Sequence, residues 1–367
     1  MSASQRIIRY AVVGLGHIAQ AAVLPAFAHA RRNSRLTAIV SGDRTKRQAL
    51  TRRYQLEHAF GYDQFDECLR SVDAVYIALP NSMHAQYTIR AARAGVHVLC
   101  EKPMAVTVDE CRRMIAACRK GNVKLMIAYR LHFDSLNLSA IDLARRGRLG
   151  EVKFFNSSFS MTVRRGDIRT KRAYGGGTLY DGVYCINAAR NLFRAEPTQV
   201  SAISVNSGLA TLAEIDETTA SILRFGDERV ATFVTSFNAS DVASYRIVGT
   251  KGHLQADPAF EYAEGLEYRL TIGGKKSRKK TPKRDQFAPE LLYFSDCILN
   301  DREPEPSGEE GLQDVRIVEA LYQSAKTGRP IAIRPFTKTV RPTGRQRITR
   351  PGIKKPALVK VQSASRD

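Results

Sequence analysis

Apolar residues in the first third of the chain come in short, nearly unbroken runs. "IIRYAVV" (7–13), "LTAIVSG" (36–42), "DAVYIALP" (73–80), "VHVLCEKP" (96–103) and "VKLMIAY" (123–129) are each closed by Gly, Pro or charge. Runs of this length and composition read as strands buried on both faces, as in a parallel sheet. Between them, 43–53, 82–94 and 107–120 carry helical spacing. Strands alternating with helices predict βαβ units and a doubly wound α/β Rossmann domain over residues 1–130. Pro25 is expected to bend or end the first helix, because it has no amide hydrogen for the i−4 carbonyl.

Beyond residue 150 the period changes. The stretches 151–163, 198–207, 217–225 and 229–237 alternate apolar with polar positions and are joined mostly by short connections. This pattern predicts an open sheet with one solvated face. Three glycines open the segment "GGGTLYDGVYCINAARNLF" (175–193), read as a helix with Asp181 and Tyr184 in its first turns. Residues 308–327 read as a late amphipathic helix. The second domain is therefore placed at 131–336, with a Pro-rich basic tail at 337–367.

Hydrophobic residues make up 43% of the chain, too many for a disordered protein. No stretch approaches the ~20 apolar residues of a membrane span. The N-terminal sequence has no separate apolar region and no small-residue cleavage site, so an unexported, cytoplasmic protein is expected. The six cysteines are scattered without a CxxC pair, and the seven histidines lack metal-ligand spacing, so no metal is expected. The net charge of +21 is concentrated: 271–284 and 334–367 supply 16 of it. A solvated basic loop and a tail outside the catalytic fold are expected, rather than a nucleic-acid site. The tail is assigned to subunit contacts or to mobility.

"GLGHIA" (14–19) sits between the first strand and the first helix. Gly14 permits the tight turn, Gly16 lets the backbone approach a pyrophosphate, and Ala19 packs helix on strand. The helix N-terminus then offers free N–H groups to an anion. Gly14, Gly16, His17 and Ile18 are thus candidate dinucleotide contacts. At the tip of the second strand, "SGDRTK" (41–46) carries Ser41 and Gly42 where an NAD site usually has a carboxylate. Arg44 and Lys46 follow, suited to a phosphate. NADP is therefore expected over NAD, with Asp43 left to cap the next helix. Leu79, Pro80, Asn81 and His84 lie beyond one strand, and Glu101 and Lys102 beyond the next. Ligands of open α/β sheets bind at these carboxyl ends. For His84, a cofactor contact and a surface histidine at a helix start both stay open. Phe154, Phe155 and Phe159 are read as core. Lys171 and Arg172, near the glycines, are read as solvated loop charges.

With "VVGLG", "DAVYIALPNSMHA", "VLCEKPMA", "KLMIAYR", "GGGTLYD" and "GEEGLQDVRIVEALYQSAKTGRP", the sequence resembles the glucose–fructose oxidoreductase / inositol dehydrogenase / rhizopine-catabolism oxidoreductase family, and most of all its glucose–fructose oxidoreductase branch. The resemblance covers roughly residues 8–335. It implies a Rossmann domain followed by an open-faced, mostly antiparallel sheet through which subunits pair as a homodimer or homotetramer. It implies that Lys102 is a catalytic-site lysine with Asp181 and Tyr184 as partners. Ser41, Lys46 and Tyr62 would surround the 2′-phosphate of NADP, and Glu101, Lys102 and Arg130 would line the nicotinamide side. "DGVY" places Tyr184 three residues after Asp181, one fewer than is usual in this family.

The chemistry so implied is hydride transfer between a nicotinamide and a sugar or polyol carbon. A tyrosine that titrates near pH ~10 needs a cation to act as a base, and Lys102 can supply it. Asp181 can keep that lysine charged and oriented. A nucleotide-binding regulatory protein of the same fold, without turnover, stays open as the alternative.

Overall fold

The computed structural model describes residues 6–226 and 228–365. Six short strands form one parallel sheet: β1 (Ile8–Val13), β2 (Ser34–Val40), β3 (His58–Phe60), β4 (Ala74–Ile77), β5 (His97–Cys100) and β6 (Leu125–Ile127). Their order, β3-β2-β1-β4-β5-β6, reverses direction between β1 and β4. The crevice at that reversal is the usual ligand position of a doubly wound sheet. The apolar runs are explained by double burial. Val13, Ile77 and Cys100 face the helices His84–Arg93 and Val108–Lys120. Val12, Tyr76 and Leu99 face the other way, toward the helical run 19–29 and the helix Ala288–Leu299.

Three expectations change here. β3 was not foreseen, because "HAF" is too short to show a pattern. Pro25 does not end its helix. The Leu24 amide bonds the Ala19 carbonyl in a wide π turn, and the chain stays helical through Pro25 to His29. The helix Ala288–Leu299 falls in the range assigned to the second domain, yet Leu291, Leu292 and Phe294 complete the apolar layer beneath the parallel sheet.

The second sheet has nine strands: β7 (Val152–Thr162), β8 (Pro197–Val205), β9 (Thr218–Phe225), β10 (Val230–Ser236), β11 (Asn238–Gly249), β12 (Gly252–Ala256), β13 (Glu267–Ile272), β14 (Lys275–Lys280) and β15 (Ile331–Ala332). The order is β14-β13-β12-β11-β7-β10-β9-β8-β15, antiparallel except for the β7–β10 pair. Cross-strand register puts Val200, Leu223, Ala231 and Phe155 on one row, buried on the same side as the helices Val183–Phe193 and Gly308–Thr327. The next row, on the opposite face, pairs Val230 with Phe154, and both are exposed. Phe155 is thus core as expected, whereas Phe154 is not.

The basic segment expected as a loop is a β-hairpin. β14 carries six exposed residues, "KKSRKK", at the sheet's edge, and like-charged edges resist pairing with other chains. The helix expected from the three glycines is broken in two, Thr178–Asp181 and Val183–Phe193, at Gly182. A Cβ at Gly182 would lie 2.5 Å from Thr235 Cγ2, so the bend presses the helix against β10.

The tail is packed into the fold, contrary to expectation. Lys338 Nζ lies 3.1 Å from Glu305 and 2.5 Å from Glu310, and all three side chains are buried. Arg341 pairs with Glu196 at 2.7 Å, and Glu196 also holds the fully buried Arg190. His132, Glu305 and Glu310 offer ligand atoms within 4.8 Å of one another, the only such group among the described residues, and the Lys338 ammonium is the cation seated there. Further on, Ile348, Ile353 and Val359 pack against the apolar layer under the parallel sheet. Buried ion pairs and isolated apolar contacts replace the periodic pattern that a helix or strand would have shown.

Among the described residues, no helix is long and apolar enough to cross a membrane.

Candidate active site

A cleft of about 610 Å³ opens at the carboxyl ends of the parallel strands and is closed on its other side by the second sheet. Its floor is the loop after β1. Gly14 has φ +93°, and a Cβ there would sit 2.4 Å from the Ala78 carbonyl oxygen, so only glycine fits. At Gly16 a Cβ would meet nothing within 4 Å. That open space leaves room for a phosphate against the backbone, and His17 and Ile18 continue the same wall. Burial, and then the nearby cations of Arg169 and Lys355, push the His17 imidazole down.

At the end of β2, Ser41 is buried and its Oγ accepts from the Asp43 amide at 3.2 Å. The Asp43 carboxylate caps the helix Arg44–Tyr54 by accepting from the Lys46 amide at 3.0 Å. It is therefore engaged by the backbone rather than set out for a ribose. Ser41, Lys46 and Tyr62 line the cleft. Arg44 is exposed and, with Gly42, lies outside that lining.

Leu79, Pro80 and Asn81 form the neighbouring wall after β4. Asn81 Nδ2 donates to the Gly175 carbonyl at 2.9 Å and ties this loop to the second domain. His84 is completely buried, which settles its two readings against a surface histidine. Its ring nitrogens sit 2.9 Å from the Leu79 and Pro103 carbonyls, so it joins the tips of β4 and β5. Burial pushes its imidazole down.

The tip of β5 carries the charged centre. The Lys102–Pro103 peptide is cis. Lys102 Nζ is 3.3 Å from Asp181 Oδ1 and 4.5 Å from the centre of the Tyr184 ring. Asp181 Oδ2 accepts from Arg169 Nε at 2.7 Å. Asp181 and Tyr184 come from the two pieces of the broken helix, and both face the cleft. The three-residue spacing is accommodated at Gly182. Burial opposes the charge on Lys102, but Tyr184, Asp181 and Glu101 more than offset it and hold the ammonium above its ordinary value. Burial likewise opposes the Asp181 charge, and Arg169 and Lys102 overcome it, keeping the carboxyl below its ordinary value. Glu101 differs: burial pushes it up, against Lys102, Tyr76 and Arg130. The Tyr76 hydroxyl donates to Glu101 Oε1 at 2.8 Å.

Tyr184 is held as a slab. It stacks on Phe260 at 5.7 Å with 14° between planes, and the Arg130 guanidinium lies 5.0 Å from its ring centre. Arg130 is buried and donates to Gln286 and to the Phe260 carbonyl. Phe159, expected in the core, borders the cleft beside Tyr184 at 5.8 Å.

Sequence reading missed Arg169. It is one basic residue among several in "RRGDIRTKR", and nothing in its spacing marks it. Lys171 and Arg172 do behave as exposed loop charges, both bonded to Glu214.

The family described as "Oxidoreductase family, NAD-binding Rossmann fold" matches residues 8–129, and the GFO/IDH/MocA C-terminal domain matches residues 138–255. The D-xylose 1-dehydrogenase (NADP(+)) of Haloarcula marismortui is 30% identical over 342 residues, covering 89% of this chain and 93% of that protein. A dTDP-3,4-didehydro-2,6-dideoxy-alpha-D-glucose 3-reductase of Actinomadura kijaniata is 31% identical, over 87% of this chain and 96% of that one. The crystal structure of aldose-aldose oxidoreductase from Caulobacter crescentus complexed with glycerol superposes with a TM-score of 0.85 at 39% identity, covering 89% of this chain and 100% of that chain. With both halves matched and the relatives spanned almost end to end, the chain belongs to the GFO/IDH/MocA oxidoreductase family with its NAD-binding Rossmann fold.

Proposed function

We propose that the protein is an NADP-dependent oxidoreductase that moves a hydride between the nicotinamide and a sugar or polyol carbon bearing oxygen. The observation that carries this is the meeting of Lys102, Asp181 and Tyr184 in one cleft, at the carboxyl edge of the parallel sheet, beside the loop Gly14–Gly16. Bound NADP supplies the hydride acceptor, or as NADPH the donor. The chain's own groups manage the proton on the substrate oxygen. Lys102 stabilises negative charge on that oxygen and lies over the Tyr184 ring. Tyr184 accepts or donates the proton. Asp181 keeps Lys102 charged, and Arg169 fixes the far oxygen of Asp181 so that the lysine is aimed into the cleft. Relatives that are dehydrogenases and reductases of sugars favour turnover over the regulatory reading.

The residues fit NADP better than NAD. Ser41 offers no carboxylate to the ribose, and Lys46, which lines the same cleft, carries the charge a phosphate needs. Ser41→Asp is expected to shift the NADPH-to-NADH affinity ratio toward NADH, measured by nicotinamide fluorescence titration. Tighter NADH binding by the unmodified protein would contradict this assignment.

The protein is further proposed to pair with a second copy through the open sheet face. Cross-strand register sets Ile203, Val205, Ile222, Val230, Val234 and Phe154 on that face, and Ile203 is 71% exposed. An apolar patch of this kind marks an interface. Ile203→Asp is expected to lower the mass seen in light scattering. An unchanged mass, or a monomeric unmodified protein, would refute the pairing.

A further inference from the structure

The end of the chain crosses the mouth of the cleft. On the Rossmann side, the Val359 amide donates to Gln20 Oε1 at 2.8 Å, and Gln20 Nε2 donates back to the Val359 carbonyl at 3.0 Å. Gln20 lies one residue past the GLGHIA loop, and its Nε2 also donates to the Leu15 carbonyl at 2.9 Å. Lys360 follows with φ 49°, a left-handed turn unfavourable for a lysine. Its Nζ stands 3.1 Å from Thr45 Oγ1 and 4.0 Å from Asp43 Oδ2. This is the N-terminus of the 11-residue helix Arg44–Tyr54, next to Ser41 and Lys46.

The segment then reaches the second domain. The Arg164 amide donates to the Ala364 carbonyl at 2.8 Å, and Arg164 Nε donates to the Ser363 and Ser365 carbonyls at 3.1 and 2.9 Å. Ser365 Oγ donates to Asp241 Oδ1 at 3.0 Å. Ser363, Ala364 and Ser365 themselves form part of the cleft wall, opposite the dinucleotide loop.

Building on the NADP reading above, we propose that residues 354–365 are part of the cofactor site. Lys360 supplies a cation to the adenosine 2′-phosphate, and 359–365 act as a strap that holds the dinucleotide in the cleft. Lys46 lines the cleft at this corner, and Lys360 brings a second ammonium to the same helix N-terminus. Its ammonium has three donors, its contact to Asp43 is loose, and its stem is long enough to turn toward a phosphate. The Asp43 carboxylate stays on the helix amides, so it does not compete for the same position. The strap is bonded to both walls of the cleft. Entry or exit of the dinucleotide therefore requires its bonds to Arg164 or to Gln20 to open.

The test uses the full-length chain and two variants, Lys360→Ala and Arg164→Ala. Binding of NADPH and NADH is titrated by fluorescence, and release is followed by stopped-flow displacement with excess NADP. Lys360→Ala should weaken NADPH binding about tenfold, the loss of one charge-assisted contact, and leave NADH binding unchanged because NADH has no 2′-phosphate. Arg164→Ala should speed the release of both dinucleotides, since the strap is loosened without touching the phosphate corner. Equal effects of Lys360→Ala on NADPH and NADH, or none on either, would overturn the phosphate role. Unchanged release rates in Arg164→Ala would overturn the strap. An unmodified protein that binds neither dinucleotide would sink the NADP reading together with this one, whereas tight NADPH binding indifferent to both variants sinks this one alone.

Discussion

Lys102→Ala is expected to lower turnover on a good sugar substrate by about 10²- to 10⁴-fold, the usual contribution of a positioned acid–base group. The reason is local. Lys102 is the ammonium that lies both against Asp181 and over the Tyr184 ring. Removing it leaves the half-buried Asp181 carboxylate held only by Arg169 and takes the ammonium away from the Tyr184 ring. Tyr184→Phe should fall in the same range, with NADP(H) affinity nearly unchanged, since the ring still stacks on Phe260. Pre-steady-state kinetics, with binding measured separately, checks both. Undiminished turnover in Tyr184→Phe would remove the tyrosine from the proton step.

Lys338→Ala should cost about 3–5 kcal/mol of folding stability, the usual cost of breaking a buried ion pair from one side. Its ammonium sits between Glu305 and Glu310, each nearly inaccessible. Burial works against the Glu310 charge, but Arg190 and Lys338 overcome it and hold its carboxyl well below the ordinary value. A depressed carboxyl contributes stability that is complete above its unfolded pKa of about 4.3 and is lost as pH falls toward the folded value. The variant should therefore also lose part of the acid sensitivity of the unmodified protein. Urea unfolding at neutral and acid pH reads both effects. A midpoint that does not move would mean that the tail contributes nothing to the fold.

That tail is the clearest case of structure the sequence concealed. Its Pro, Lys and Arg carry no period, and its binding partners are single acids and carbonyls hundreds of residues away. The parallel sheet was legible for the opposite reason: strands buried on both faces are continuously apolar and bounded by glycine or proline. In the second sheet, β7 to β10 alternate clearly, whereas β14 contains no apolar residue and is defined only by its pairing to β13. The site divides the same way. Lys102, Asp181 and Tyr184 stood out through the resemblance of their motifs and did meet in one cleft. Arg169 reaches it from a loop segment in which basic residues are common, so only the folded arrangement singles it out.

The central claim is that Lys102, Asp181 and Tyr184 carry out hydride chemistry on a sugar with NADP. The most direct measurement mixes the purified full-length protein, loaded with NADP, with a panel of aldoses, ketoses and polyols and follows formation of reduced nicotinamide in a single turnover. The account predicts rapid reduction with at least one member of the panel, lost in Lys102→Ala while NADP stays bound. Full NADP occupancy with no reduction by any of them, and no reoxidation of bound NADPH by the matching carbonyl compounds, would contradict it.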